Sequence, residues 1–121
     1  MKIFKNTWFN RFAKKEGITD DELRETVNQL EKEQADANLG GGVYKVRVAR
    51  DGEGKSGGYR VIVFFKSKKR TFFVYSFAKS DRGNIDQGEL RIFKNRSKDA
   101  LSMTDEQIND RIRNGTLIEV L

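Results

Sequence analysis

The chain has 121 residues, 36% hydrophobic and 35% charged, with 24 basic and 18 acidic side chains for a net charge of +6. That length predicts a single domain, 1–121, with one economical core to which nine Phe and one Trp contribute. There is no Cys and no His, which excludes disulfides, thiolate metal sites, Ser-His and Cys-His nucleophile pairs and the common zinc sites.

In chain order, Lys2 to Lys5 reads as a short strand, and Asn6 or Thr7 can cap a helix running to about Glu16 with Trp8, Phe9 and Phe12 on its apolar side. Gly17 stops it. Thr19-Asp20-Asp21-Glu22 is a capping box opening a second helix with Leu23, Val27 and Leu30 on one stripe. The glycines 40, 41 and 42 are expected to end that helix. Three strands follow. Val43–Arg50 alternates, with Tyr44, Val46 and Val48 on one face and Lys45 and Arg47 on the other. Tyr59–Lys66 is nearly all apolar after Arg60, as in a strand covered on both faces, and Thr71–Ala78 is rich in aromatics. Asp51–Gly58 and Lys66–Arg70 are the expected turns. Beyond Lys79 the pattern becomes helical, with Leu90 and Phe93 as buried contacts. A second capping box at Thr104–Gln107 precedes Ile108 and Ile112, Asn114-Gly115 ends that helix, and Leu117–Leu121 is a closing strand or apolar tail. The order β-α-α-β-β-β-α-α, with an optional last strand, predicts an α+β fold: a mostly antiparallel sheet with the N-terminal helix pair on one face.

The charge is segregated. Lys45–Arg70 holds nine basic and two acidic residues, a local +7, whereas Asp20–Asp36 holds seven acidic and two basic, a local −5. A polyanion is the natural partner, nucleic acid ahead of membrane; the plainer alternative is that Lys and Arg solvate a sheet. No apolar run approaches the roughly 20 residues that span a bilayer, Met1–Asn6 lacks a signal-peptide pattern, and the absence of Cys fits an intracellular setting.

Gly52-Glu53-Gly54-Lys55-Ser56-Gly57-Gly58 resembles a phosphate-binding loop but departs from it. Ala49 stands where the first glycine belongs, and a strand follows instead of a helix. The segment is either a flexible hairpin loop or a loop whose Lys55 and bare amides meet RNA phosphates. Lys45 and Arg47 share one side of a strand about 7 Å apart, a spacing comparable to that of adjacent phosphates, and Arg60 opens the neighbouring strand with a guanidinium suited to two parallel phosphate contacts. Lys79 and, less directly, Arg82 can join the same cluster. Lys66, Lys68, Lys69 and Arg70 are RNA-steering candidates or simply solvating charge, and Tyr44, Tyr59 and Tyr75 are expected in the core, with the alternative that a tyrosine at the rim stacks on a base. No paired acid/base carboxylates and no metal-ligand spacing are visible, so neither metal nor cofactor is expected.

The segments Gly40–Arg47, Gly54–Ile62 and Phe72–Asp81, with the preceding strand and helix pair, resemble the RelE/HigB-like toxin family of the RelE/ParE superfamily over roughly residues 1–100. The resemblance implies a cytoplasmic toxin of a type II toxin–antitoxin system. Such a protein enters the ribosomal A site, cuts messenger RNA without a metal, and is held inactive by an antitoxin, often a helix-turn-helix protein. It implies Lys45, Arg47, Lys55, Arg60 and Lys79 as the catalytic cluster. RNA cleaves itself when a 2′-OH attacks the adjacent phosphate in line, so cations that align the strand, stabilise charge and move protons suffice. Lys45 or Lys55 is the expected base, with Arg47 and Arg60 on the phosphate. The chain departs from relatives that carry a tyrosine after the last central strand: none follows Tyr75. A non-catalytic RNA- or protein-binding module and a gyrase-directed relative of the same fold are the rival readings.

Overall fold

A computed structural model describes residues 1–50 and 54–121, with side chains at 1–49 and 58–121. Strand β1 (Lys2–Asn6) leads directly into α1 (Thr7–Glu16). The Asn6 side chain accepts the Phe9 N–H at 2.7 Å, and Gly17 closes the helix at φ 73°. Helix α2 (Asp20–Glu31) starts at the Thr19/Glu22 capping box and buries Leu23, Thr26, Val27 and Leu30. Strands β2 (Ala37–Gly40), β3 (Val43–Arg50), β4 (Gly54–Lys66) and β5 (Arg70–Ala78) follow. Helices α3 (Gln87–Ser102) and α4 (Asp105–Arg113) and strand β6 (Leu117–Val120) complete the described chain.

The strands form one sheet in the order β2-β3-β4-β5-β1-β6, antiparallel throughout except for the parallel β1–β5 pair. Helices cover both faces. Phe9, Leu23, Val27 and Leu30 of α1 and α2 pack on Val46, Val48, Val61, Val63 and Phe73, and α3 and α4 pack Phe93, Leu101 and Ile108 on Val43, Ile62, Phe64 and Phe72. The near-continuous apolar run of β4 follows from this double cover: Val61, Val63 and Phe65 serve one side, Ile62 and Phe64 the other.

Three expectations are corrected. Helix α2 ends at Glu31, not at the glycines, because Glu33 adopts φ 59° while Gln34 N–H bonds back to Gln29 O at 2.9 Å. The glycines, at φ 89°, 63° and 80°, turn a hairpin between β3 and an edge strand, β2, that the chain pattern did not reveal. Strand β4 begins at Gly54, so most of the expected 51–58 turn is strand.

A bulge governs the site. Ile62 pairs with Tyr75 and Val63 with Phe73, leaving Val74 extra. Unbroken alternation from Phe73 would place Tyr75 and Phe77 on the α1–α2 face. The extra residue turns both onto the α3–α4 face, and Ala78 accordingly lies in the α1–α2 core.

Candidate RNA interface

Cross-strand partners share a face, so the register orders the cationic residues. Arg47, Arg60 and Phe77 form one row across β3, β4 and β5, and Lys45, Ile62 and Tyr75 form the next. Lys45, Arg47 and Arg60 therefore stand together on the α3–α4 face, at the end of the sheet that the helix does not reach. Arg60 is only 5% exposed. A charge in so buried a setting interacts more strongly than one in open solvent. Arg47 is 46% exposed at the side chain and Lys45 15%.

Like charges opposed across strands are unfavourable, and one carboxylate offsets them. Asp36, in the α2–β2 connection, forms an ion pair with Arg47, its Oδ1 2.8 Å from Nε, and lies 3.9 Å from Lys45 Nζ. Beyond the Ala37–Lys45 pair β2 no longer covers β3, which leaves Arg47 on an open edge that Asp36 reaches. Lys45 Nζ also donates to Asn84 Oδ1 at 3.4 Å.

Asn84 belongs to the β5–α3 connection, whose shape is set by Arg82. The Arg82 guanidinium donates to Glu89 at 2.5 and 3.1 Å, to Asn84 O at 2.9 Å and to the Tyr75 hydroxyl at 3.4 Å, and lies 5.5 Å from the centre of the Phe77 ring. The Arg82 bonds, then the Asp86 N–H, hold the Glu89 carboxyl below the usual range, and the same contacts raise the already high pKa of Arg82. Tyr75 is the phenol on this face; Tyr44 and Tyr59 pack on the α1–α2 side. Its oxygen accepts from Arg82, so its proton remains available to another acceptor.

The other predicted cations are placed apart. The Lys66–Arg70 turn lies six residues along β4 from Arg60, about 20 Å by strand rise. Lys66, Lys68 and Lys69 are exposed there, and the Lys68 N–H donates to Glu31, as does the Ser67 hydroxyl. Arg70 is a structural clasp: it donates to Met103 O at 2.6 Å and Ala100 O at 3.5 Å and pairs with Asp105, closing the end of α3. Lys79 is exposed at the end of β5, next to the Tyr59–Ala78 pair at the mouth of the row. The Lys55 side chain lies outside the described residues. A separate 380 Å³ cleft between α3, α4 and the sheet, floored by Phe64, Phe72 and Phe93, contains none of the row.

Sequence reasoning missed Asp36, Tyr75 and Asn84. Asp36 looked like one more charge in an acidic run, and Tyr75 was hidden by the bulge. Among the described residues no group of acidic side chains is arranged to hold a metal, and no helix is long and apolar enough to cross a membrane. A scan of protein families matches residues 1–120 to the RelE toxin of the RelE / RelB toxin-antitoxin system. With that match spanning almost the whole chain, on a sheet whose cationic face is built as described, the protein belongs to the RelE toxin family and is the toxin of a toxin–antitoxin pair.

Proposed function

We propose that this toxin is a metal-independent endoribonuclease that cuts messenger RNA on the ribosome and thereby stops translation in the cytoplasm. The observation that carries the reading is the placement of Lys45, Arg47 and Arg60 on one sheet face, in the two rows that end at Tyr75 and Phe77. In this reading Arg47 and Arg60 receive the scissile phosphate and stabilise its added charge. The 2′-oxygen attacks phosphorus, its proton passing to the Lys45 amine. The bond to the 5′-oxygen breaks, and Tyr75 donates to that leaving oxygen. The products are a 2′,3′-cyclic phosphate and a free 5′-hydroxyl. Lys79 at the mouth and Lys55 on the hairpin extend the contact to flanking phosphates, while Lys66, Lys68 and Lys69 act at a distance as steering charge. The antitoxin partner is proposed to be a small helix-turn-helix protein.

The test is cleavage of a defined message on programmed ribosomes by the purified chain. Wild type is expected to leave cyclic-phosphate ends and Lys45→Met to leave the message intact, with equal melting temperatures. A Lys45→Met protein that cuts as fast as wild type removes the proposed base. Wild type that binds ribosomes without cutting would favour a binding module.

A further inference from the structure

The carboxylate between the two strand cations invites a question of sign. An anion inside an RNA-binding surface weakens attraction for phosphate, so it needs a compensating role. Stability supplies only part of one: the Arg47 end of the pair is 46% exposed, where an ion pair contributes about 0.2–1 kcal/mol, although Asp36 and Lys45 are 18% and 15% exposed. Geometry supplies the rest. Arg47 sits on the open edge of β3 and, with Gln29, Gln34, Ala35 and Asp36, itself lines a 410 Å³ recess, so a guanidinium released from Asp36 has room to swing away from Lys45. The like charge of Lys45 would favour that swing. Asp36 opposes it through its ion pair with Arg47, 2.8 Å from Nε, while lying 3.9 Å from Lys45. An arginine restrained by a neighbouring charge before substrate arrives loses less side-chain entropy on binding.

We propose that Asp36 is a positioning residue that holds Arg47 and Lys45 in register over the sheet face, so that Arg47 meets the scissile phosphate and Lys45 the 2′-hydroxyl that attacks it. The proposal rests on the nuclease reading for its substrate but not for its geometry. A carboxylate that merely filled the empty site would behave oppositely, since its removal would improve both binding and cleavage.

The test uses the full chain with Asp36→Asn, which keeps the shape and removes the charge, and Asp36→Glu as the conservative variant. The first readout is ¹⁵N relaxation of the Arg47 Nε–H group, assigned with Arg47→Lys. It is expected to be ordered in wild type and Asp36→Glu, and mobile in Asp36→Asn. The second is single-turnover cleavage of ribosome-bound message alongside binding of the same RNA. Asp36→Asn is expected to cleave at least ten-fold more slowly at saturation while binding as tightly as wild type or more tightly, and Asp36→Glu to recover most of the rate. An equally ordered Nε–H group in Asp36→Asn, or an undiminished saturated rate, overturns the proposal. If wild type does not cleave at all, the nuclease reading fails, and the relaxation measurement alone decides whether Asp36 holds Arg47.

Discussion

Gly42 joins the site to the second core, and its replacement by alanine has a calculable cost. It adopts φ 80°, and a Cβ there would stand 2.5 Å from Leu101 Cδ1 and 2.9 Å from Ser97 Oγ. Both belong to α3, and Ser97 is fully buried, so the sheet and helix meet with only a hydrogen between them. The left-handed backbone costs an alanine about 1–2 kcal/mol, and forcing α3 outward adds about 1–3 kcal/mol of overpacking. The sum, roughly 2–5 kcal/mol, corresponds for a chain of this size to a fall of roughly 8–20 °C in melting temperature. Gly17→Ala is the internal control: its φ is 73°, but nothing lies within 4 Å of its Cβ, so only the backbone cost of about 1–2 kcal/mol applies. Thermal and urea unfolding of the two variants measure the difference. Equal losses would refute the packing argument and the close seat of α3 on the β2–β3 hairpin. Because α3 carries Glu89, a displaced helix is also expected to loosen the Arg82 clamp and lower toxicity.

Tyr75→Phe keeps the ring between Trp8, at 4.8 Å between ring centres, and Phe93, at 5.8 Å, so it is expected to fold like wild type but cleave about ten-fold more slowly, read by single-turnover kinetics. Glu89→Gln retains a capping side chain at the third helical position and loses the ion pair with Arg82. Because the folded Glu89 pKa lies below its ordinary value of 4.5, its contribution is full above that value and is lost as pH falls through the folded pKa. The gap in melting temperature between wild type and Glu89→Gln should therefore narrow below pH 4.5; a gap constant down to acid would mean the pair does not restrain the loop. Replacing Lys66, Lys68 and Lys69 together with alanine is expected to slow association with ribosomes and flatten its salt dependence while leaving the bound cleavage rate within two-fold, as stopped-flow association and single-turnover cleavage would show.

Local patterns account for much of the architecture. The alternation of Val43–Arg50 places Lys45 and Arg47 together because a strand's period is two, and the Thr19 and Thr104 capping boxes mark helix starts because side-chain acceptors meet exposed N–H groups there. What escaped depends on backbone choices without a residue signature. Glu33 ends α2 in a left-handed conformation more often taken by glycine, so the true helix end, and Asp36 beyond it, passed as more acidic helix. The extra residue at Val74 is a sheet irregularity that β-branched and aromatic residues tolerate equally, so the side on which Tyr75 falls is decided by pairing with β4. The parallel insertion of β1 between β5 and β6 depends on contacts between distant segments, which periodicity does not encode. Arg70 read as a solvating cation and proved to be a helix clasp, because its partners are carbonyls thirty or more positions away.

The most direct test of the account is a genome-wide map of messenger RNA 5′ ends after a brief pulse of expression, comparing wild type with an Arg47→Ala variant of matched stability. New 5′-hydroxyl ends within translated reading frames for wild type, absent for the variant, are the predicted result. Identical maps for the two, or induction of DNA damage signalling with no new ends, would contradict it.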